Sequence, residues 1–492
     1  MSSAKKPNEW GSRHTLSLAG FFMCALWYSM RFNMSFAIVA MVENPVQKQG
    51  INENDPEYKV TKKMCPALRS EYNESLINPN YPMEHTVQTF EWDERDQGLI
   101  LGSFFWGYVI TQLPGAILAQ KFGGKFVIGL GMLATALLSL ILPSAAIWGG
   151  KEAVVCIRIL QGLFEGVVFP SLTVLLSKWT PPQERAHLSA LCISGMPFGN
   201  AFTMLISGHL ITAFGWPAMF YFPGVLTIIW LIFWITLVFS SPEQHPRISK
   251  TELEHLKNSL GTGKSECINI SQVPWKEITC SVPFWAIFIS QFFLAWGHNM
   301  LKSCGPKYLH SALRFDIREN SYLSATPDIC QWIFCIGVGQ LVDHLVANKC
   351  ISLLHARKLC NTIGQWGSAL MFCGIIFAGC NRWLAVVCYI MSGMINGAMF
   401  SGSIINPMDI SPNYSGAIEG VINSAANIAG FGAPYLAGLI LYHEPSIAGW
   451  RYVFLIPVVC NLIGNLAFLI GASVKIQKWN EIKNSNVVVT KL

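Results

Sequence analysis

The sequence predicts an all-α membrane protein whose twelve transmembrane helices form two six-helix halves. Three observations carry that prediction. The chain of 492 residues is 52% hydrophobic and only 13% charged, with a mean hydropathy of +0.40, a balance outside the range of ordinary water-soluble chains. Apolar runs of about 20 residues recur from end to end, each long enough to cross about 30 Å of hydrocarbon as a helix rising about 1.5 Å per residue. A polar stretch rich in Lys, Glu and Ser, 241–282, separates six such runs from six.

The spans are expected near 16–41, 97–119, 126–148, 152–176, 188–213, 217–239, 283–305, 321–346, 359–379, 384–405, 417–441 and 453–474. The chain then divides into a tail 1–15, a half 16–240 with a long loop 42–96, a linker 241–282, a half 283–474 and a tail 475–492. An even number of spans puts both termini on one side. Lys5, Lys6, Arg13, Lys121, Lys125, Lys178, Arg185, Lys349, Arg357, Lys358, Lys475 and Lys478 mark that side as cytosolic, because positive charge is retained there. The loop 42–96 then faces outward, and its sequon makes Asn73 the expected glycosylation site. The first fifteen residues are polar and no small-residue cleavage site follows the first apolar run, so that span is expected to anchor itself. The short N-terminal tail has no acidic dileucine signal, which favours the plasma membrane over lysosomal or vesicular membranes.

Most of the fifteen cysteines fall inside spans as apolar filler, and Cys65 alone is clearly in the external loop. No metal-ligand spacing, phosphate cradle or nucleophile elbow occurs, so neither a cofactor nor an enzyme is expected. The net charge of +6 follows from the positive loops and does not imply nucleic acid. The final Thr490-Lys491-Leu492 fits a peptide that adds as a strand to a PDZ domain. The halves echo each other: GAILAQKFGGK (115–125) follows the second span as GVGQLVDHL (337–345) follows the eighth. Six-plus-six chains of this kind are expected to rock around a site at the midplane.

Charges at membrane depth are costly and mark pathways. Arg31 lies about fifteen residues, hence roughly 22 Å, into the first span, too deep to snorkel, and its planar fork suits a carboxylate or phosphate. Arg158 and Glu165 are two helical turns apart on one face of the fourth span, so they can share a cavity in which Glu165 alternates between protonated and ionised forms. A permanent salt bridge is the competing reading. Asp328 follows Pro327, which frees a backbone carbonyl, so the pair can hold Na⁺ or Asp328 can be a packed, neutral carboxyl. Tyr108 is either a wall of the site or aromatic packing.

The segments GSFFWGYVITQLPGAILAQKFGGK (102–125), RILQGLFEGVVFP (158–170), SKWTPPQERAHLS (177–189), SPEQHPRIS (241–249), INPMDISPNYSG (405–416) and WRYVFLIP (450–457) strongly resemble the anion transporter family of sialin, the vesicular glutamate transporters and the sodium-phosphate cotransporters (solute carrier family 17), within the major facilitator superfamily. The resemblance runs from about residue 20 to 475. It implies an essential arginine at Arg31 and a coupling or gating glutamate at Glu165; with Arg158 as a second fixed cation and Tyr108 as a wall, the expected substrate contacts are Arg31, Tyr108, Arg158, His298 and Asn299. The segment WGHNM (296–300) resembles the His-Asn step of the phosphate and organic anion branch, with a helix-helix hydrogen bond as the alternative. Asp343 occupies the aspartate position of the superfamily's cytosolic motif and is assigned, with Asp409, to structural gating.

The chain departs from its relatives in places. Leu101 and Leu294 stand where the vesicular glutamate transporters have a histidine and an arginine, and Gln161 and Thr173 where sialin has a glutamate and a histidine. The expected function is a secondary active transporter of small anions, inorganic phosphate or carboxylates, with Na⁺ or H⁺ co-transported and Glu165 and Asp328 as coupling groups. A proton-coupled lysosomal or vesicular carrier of acidic sugar or glutamate is the alternative; an anion channel or a substrate sensor is more remote. The expected partners are the anion and the bilayer, with the protein working as a monomer.

Overall fold

The computed structural model describes residues 11–42, 65, 88–180, 185–260, 273–412 and 414–480. These trace twelve crossings. The first two are Ser12–Met41 and Glu94–Phe122. The third and fourth are the two arms of Gly124–Gly166, continued by Val168–Trp179. The fifth joins Arg185–Ile193 to Gly195–Phe214, and the sixth is Ala218–Leu237. The second half holds Val282–Lys307, Ile317–Ala347, Leu353–Ala378, Arg382–Asn396 with the short Asn406–Ile410, Ser415–His443 and Ile447–Gly471.

Local chemistry explains where these helices start and bend. Asp93, Asp316, Ser352, Asn381 and Ser446 each accept a backbone N–H at the start of the second, eighth, ninth, tenth and twelfth crossings, satisfying donors that a helix leaves open. Gly150 (φ 61°, ψ −155°) takes the left-handed backbone that turns the third crossing into the fourth, a conformation that residues with a Cβ avoid. The tenth crossing is not the continuous 384–405 helix expected. It ends at Asn396 and passes through a tight turn, Gly397–Ser401. A Cβ on Gly397 would lie 2.7 Å from the carbonyl of Gln331, and one on Gly402 2.9 Å from the backbone of Asn361, so glycine permits these close approaches.

By length and apolarity alone the first, second and seventh crossings fall short of the others. They are the helices that carry Arg31, Tyr108 and His298 into the bundle, so their polar content reflects position rather than weak membrane character.

The first and last described residues, Gly11 and Asn480, lie at one end of the bundle. There Glu252, on the linker helix Lys250–Leu260, accepts the backbone N–H groups of Ser12 and Arg13 and pairs with the Arg13 guanidinium at 3.2 Å. A carboxylate at a helix N-terminus is favoured by the helix dipole. The Gln477 N–H donates to the Ile410 carbonyl at 2.9 Å at the same end. The opposite, loop-bearing end holds Cys65, which is joined to Cys380 by a disulfide spanning 315 residues and is buried against the core of the second half.

Contacts between the halves are dense at the loop-bearing end. Lys307 pairs with Glu94 and donates to Gln97 Oε1 at 2.6 Å, His209 hydrogen-bonds Tyr322 at 2.6 Å, and Gly98 lies against Pro434 and Gly438. This conformation is shut at that end.

Candidate functional site

The N-terminal wall of the site is set by how closely the second and fourth crossings pack. A Cβ on Gly107 would fall 2.1 Å from the Ile159 carbonyl, and one on Gly162 1.9 Å from the Phe104 carbonyl. Small residues at these positions let the backbones touch, which is how helices associate in lipid, where apolar burial supplies little drive. The same close packing fixes Tyr108, Arg158 and Glu165 beside Arg31.

Arg31 is buried in an aromatic cage. Its guanidinium lies 4.5 Å from the centre of the Tyr108 ring and 4.9 Å from that of Phe105, contacts worth up to about 2 kcal/mol each when desolvated. Its Nη2 donates to Oδ1 of Asn427 on the eleventh crossing at 2.9 Å, a bond between the halves, while its Nε is buried without a partner among the described residues. Arg158 donates from Nη1 to Gln161 Oε1 and from Nη2 to the backbone carbonyl of Arg31, both at 3.1 Å. Its Nε is likewise unsatisfied.

Glu165 has 0% exposure, and neither carboxyl oxygen has a hydrogen-bond partner among the described residues. Its electrostatic neighbours are Arg31 and Arg158, and the Trp27 indole N–H lies beside it without completing a hydrogen bond. No salt bridge joins Glu165 to Arg158 in this conformation, where the Nη groups of the arginine donate to Gln161 and to the Arg31 backbone. A buried polar group without a partner is costly, several-fold more so when charged.

The C-terminal wall is arranged differently. His298 lines a small cavity with Gln331, Ser392 and Asn396. Asn299 turns away from it, donating to the Ala295 carbonyl one turn back along its own helix at 2.9 Å. Asp328 is not open to a cation: Oδ1 lies 3.0 Å from the Lys302 ammonium, and Oδ2 accepts from the amide of Asn200 on the fifth crossing. At the terminus-bearing end Arg357 grips Asp409 with Nε at 2.8 Å and Nη2 at 3.3 Å, tying the ninth crossing to the tenth. Asp343 does not form the expected latch. It is exposed and makes no hydrogen bond or ion pair among the described residues, although the adjoining Val342 is buried against Ala356 and Cys360 of the ninth crossing. Asn73 and Thr490-Lys491-Leu492 lie outside the described residues.

Sequence reasoning missed Lys302, Asn200 and Asn427. Lys302 is four residues beyond His298 and so shares its helix face, a signal present in the sequence. Asn200 and Asn427 are found only once the helices are packed.

The sequence pattern of the Major Facilitator Superfamily matches residues 70–434. The chain is 35% identical to human sialin, covering 95% of this chain and 90% of sialin. It is 34% identical to vesicular glutamate transporter 1 of Xenopus tropicalis, over 94% of this chain and 75% of that protein. Among solved structures it superposes with a TM-score of 0.66 on an inward-facing, unoccupied bacterial homologue of the human lysosomal transporter Spinster, at 14% identity and covering 94% of this chain and 98% of that one. That likeness speaks to the fold, and the sequence relatives to the family. The chain is a multi-pass membrane transporter that belongs to the major facilitator superfamily and, within it, to the family of sialin, the vesicular glutamate transporters and the inorganic phosphate cotransporters.

Proposed function

We propose that this transporter carries a small anion gripped by Arg31, and that Glu165 couples the anion's movement to a cation gradient. The observation that carries the reading is the unfinished hydrogen bonding at the N-terminal wall. Two buried arginines each keep an unused N–H, and near them a fully buried carboxyl has both oxygens unsatisfied. An anion completes the arginines, and a cation completes the glutamate. Tyr108 and His298 are the walls that face it. The anion is inorganic phosphate or a carboxylate; the second reading, an acidic sugar or glutamate, rests on the similarity to sialin and the vesicular glutamate transporter.

A proton is favoured over Na⁺ for Glu165. It binds a single oxygen, whereas Na⁺ needs several, and Asp328 has both its oxygens occupied. In this reading residues 16–240 and 283–474 are the two moving halves and 241–282 their tether. The loop-bearing end, closed in this conformation, faces away from the cytosol. Two independent features support that orientation: the Lys and Arg bias of the short loops, and the Cys65–Cys380 disulfide, which belongs to an oxidising compartment. The termini are then cytosolic, and we assign the protein to the plasma membrane.

The test is uptake by proteoliposomes of labelled phosphate, glutamate, sialic acid and urate under imposed Na⁺, H⁺ and voltage gradients. Accumulation of one anion driven by inward H⁺ is expected. Rapid flux that ignores every gradient would favour a channel instead.

A further inference from the structure

Lys302 and Asp328 stand apart from the grip just described, in the second half of the chain. Their side chains retain only 8% and 7% exposure. Lys302 sits one turn beyond His298, and Asp328 reaches it from the eighth crossing while also accepting from Asn200 of the first half. Two small cavities share this ion pair as a common wall: one holds His298 and Gln331, the other Asn200 and Tyr389. The pair is also tied to the anion grip. The ring of Phe32, the residue after Arg31, has the Arg31 guanidinium 5.5 Å from its centre and the Lys302 ammonium 5.7 Å from it. One aromatic side chain thus lies against both cations.

Stability does not account for such a pair, since apolar side chains of similar volume serve a buried position as well or better. Its placement beside the grip does. A lysine ammonium has three N–H donors, and Asp328 uses one, so others remain for an oxygen in the adjoining cavities. For a second negative charge, the attraction of Lys302 is offset by the repulsion of Asp328 a hydrogen bond away. The wall is therefore polar but uncharged.

We propose that Asp328 determines which anions the site accepts: by neutralising Lys302 it leaves Arg31 and Arg158, offset by the Glu165 carboxylate, as the net charge that meets the anion and restricts the substrate to one net negative charge, with Lys302 held for a neutral oxygen of the same molecule. The proposal rests on Arg31 as the anion grip. Removing the charge of Asp328 exposes Lys302 and converts the site to one that favours dianions.

The probes are succinate and succinamate, which share a carbon skeleton and differ by one charge. Each is titrated near neutral pH against the melting temperature of the purified full-length protein, and the ratio of half-saturating concentrations is compared between variants. In Asp328→Asn the ratio moves toward succinate by about tenfold or more, as one uncompensated charge at close range requires. In the neutral double variant Lys302→Gln/Asp328→Asn, and in the charge swap Lys302→Asp/Asp328→Lys, it returns to the starting value. The double variant and the swap also test the claim if the single variant does not fold, because a ratio that departs from the starting value in both contradicts it. An unchanged ratio in Asp328→Asn, or no stabilisation of that variant by succinate, overturns the proposal. Arg31→Lys separates the two readings: it weakens both probes alike if the grip is correct, and an unaltered affinity for both means that the grip has failed rather than the charge filter.

Discussion

In the N-terminal half Arg31, Arg158 and Glu165 are buried on the first and fourth crossings without an ion pair between them, whereas in the C-terminal half Lys302 is matched to Asp328 and Arg357 to Asp409. Both halves bear the cost of charge at membrane depth, but the second pairs Lys302 and Arg357 with carboxylates of its own, whereas these three charges of the first form no ion pair with one another. A completed pair holds helices together and sets the charge of a wall. An incomplete set can take a ligand, and the proposal that the anion and the coupling cation bind in the first half rests on this contrast.

The largest effect expected of a single substitution is at Arg31. Arg31→Lys keeps the charge but loses the fork, so transport by correctly delivered protein should fall about 10- to 100-fold, the value of one charge-assisted hydrogen bond. Near-normal initial rates of labelled anion uptake would move the grip elsewhere and erase the contrast. A matched pair should respond in stability instead. Asp409→Asn leaves Arg357 largely buried without its counter-ion, which should cost about 3 kcal/mol by analogy with other broken buried pairs. Thermal unfolding in detergent reads that loss, and binding by the surviving folded fraction should be unchanged.

Cys65→Ser removes the covalent tie from the first half's long loop to the second half. A loss of about 2–4 kcal/mol is expected, visible as a lower melting temperature under oxidising conditions and as no difference from the parent once both are reduced. The smallest effect is at Asn73. Asn73→Gln should speed migration on a gel and leave transport intact, and a terminal epitope reached by antibody in unpermeabilised cells would invert the orientation.

The apolar runs reveal the twelve crossings because hydrocarbon thickness imposes their length on the sequence. The interruption at Gly397–Ser401 is invisible in them, since an apolar residue suits a tight turn inside protein as well as a helix. Lys302 shares a helix face with His298, but its partner Asp328 on the eighth crossing, and Asn200 of the fifth beyond it, are set by packing that the sequence does not display. The two-turn spacing of Arg158 and Glu165 puts them on one helix face, yet which partners Arg158 takes depends on Gln161 and on the Arg31 carbonyl, and so on the packing of the first crossing against the fourth. The Cys65–Cys380 link joins residues 315 positions apart, and with Cys380 at the border of an expected span only the tertiary structure could match them.

The central claim is that the unpartnered carboxyl of the first half couples anion movement to a cation gradient, and Glu165→Gln in proteoliposomes tests it most directly. The amide fills the same space but cannot cycle a proton, while the arginines remain. Anion exchange in counterflow should persist, and concentrative uptake driven by an imposed gradient should be lost. Concentrative uptake by Glu165→Gln with unaltered pH and Na⁺ dependence would contradict the account, leaving Glu165 a structural residue and coupling to another group.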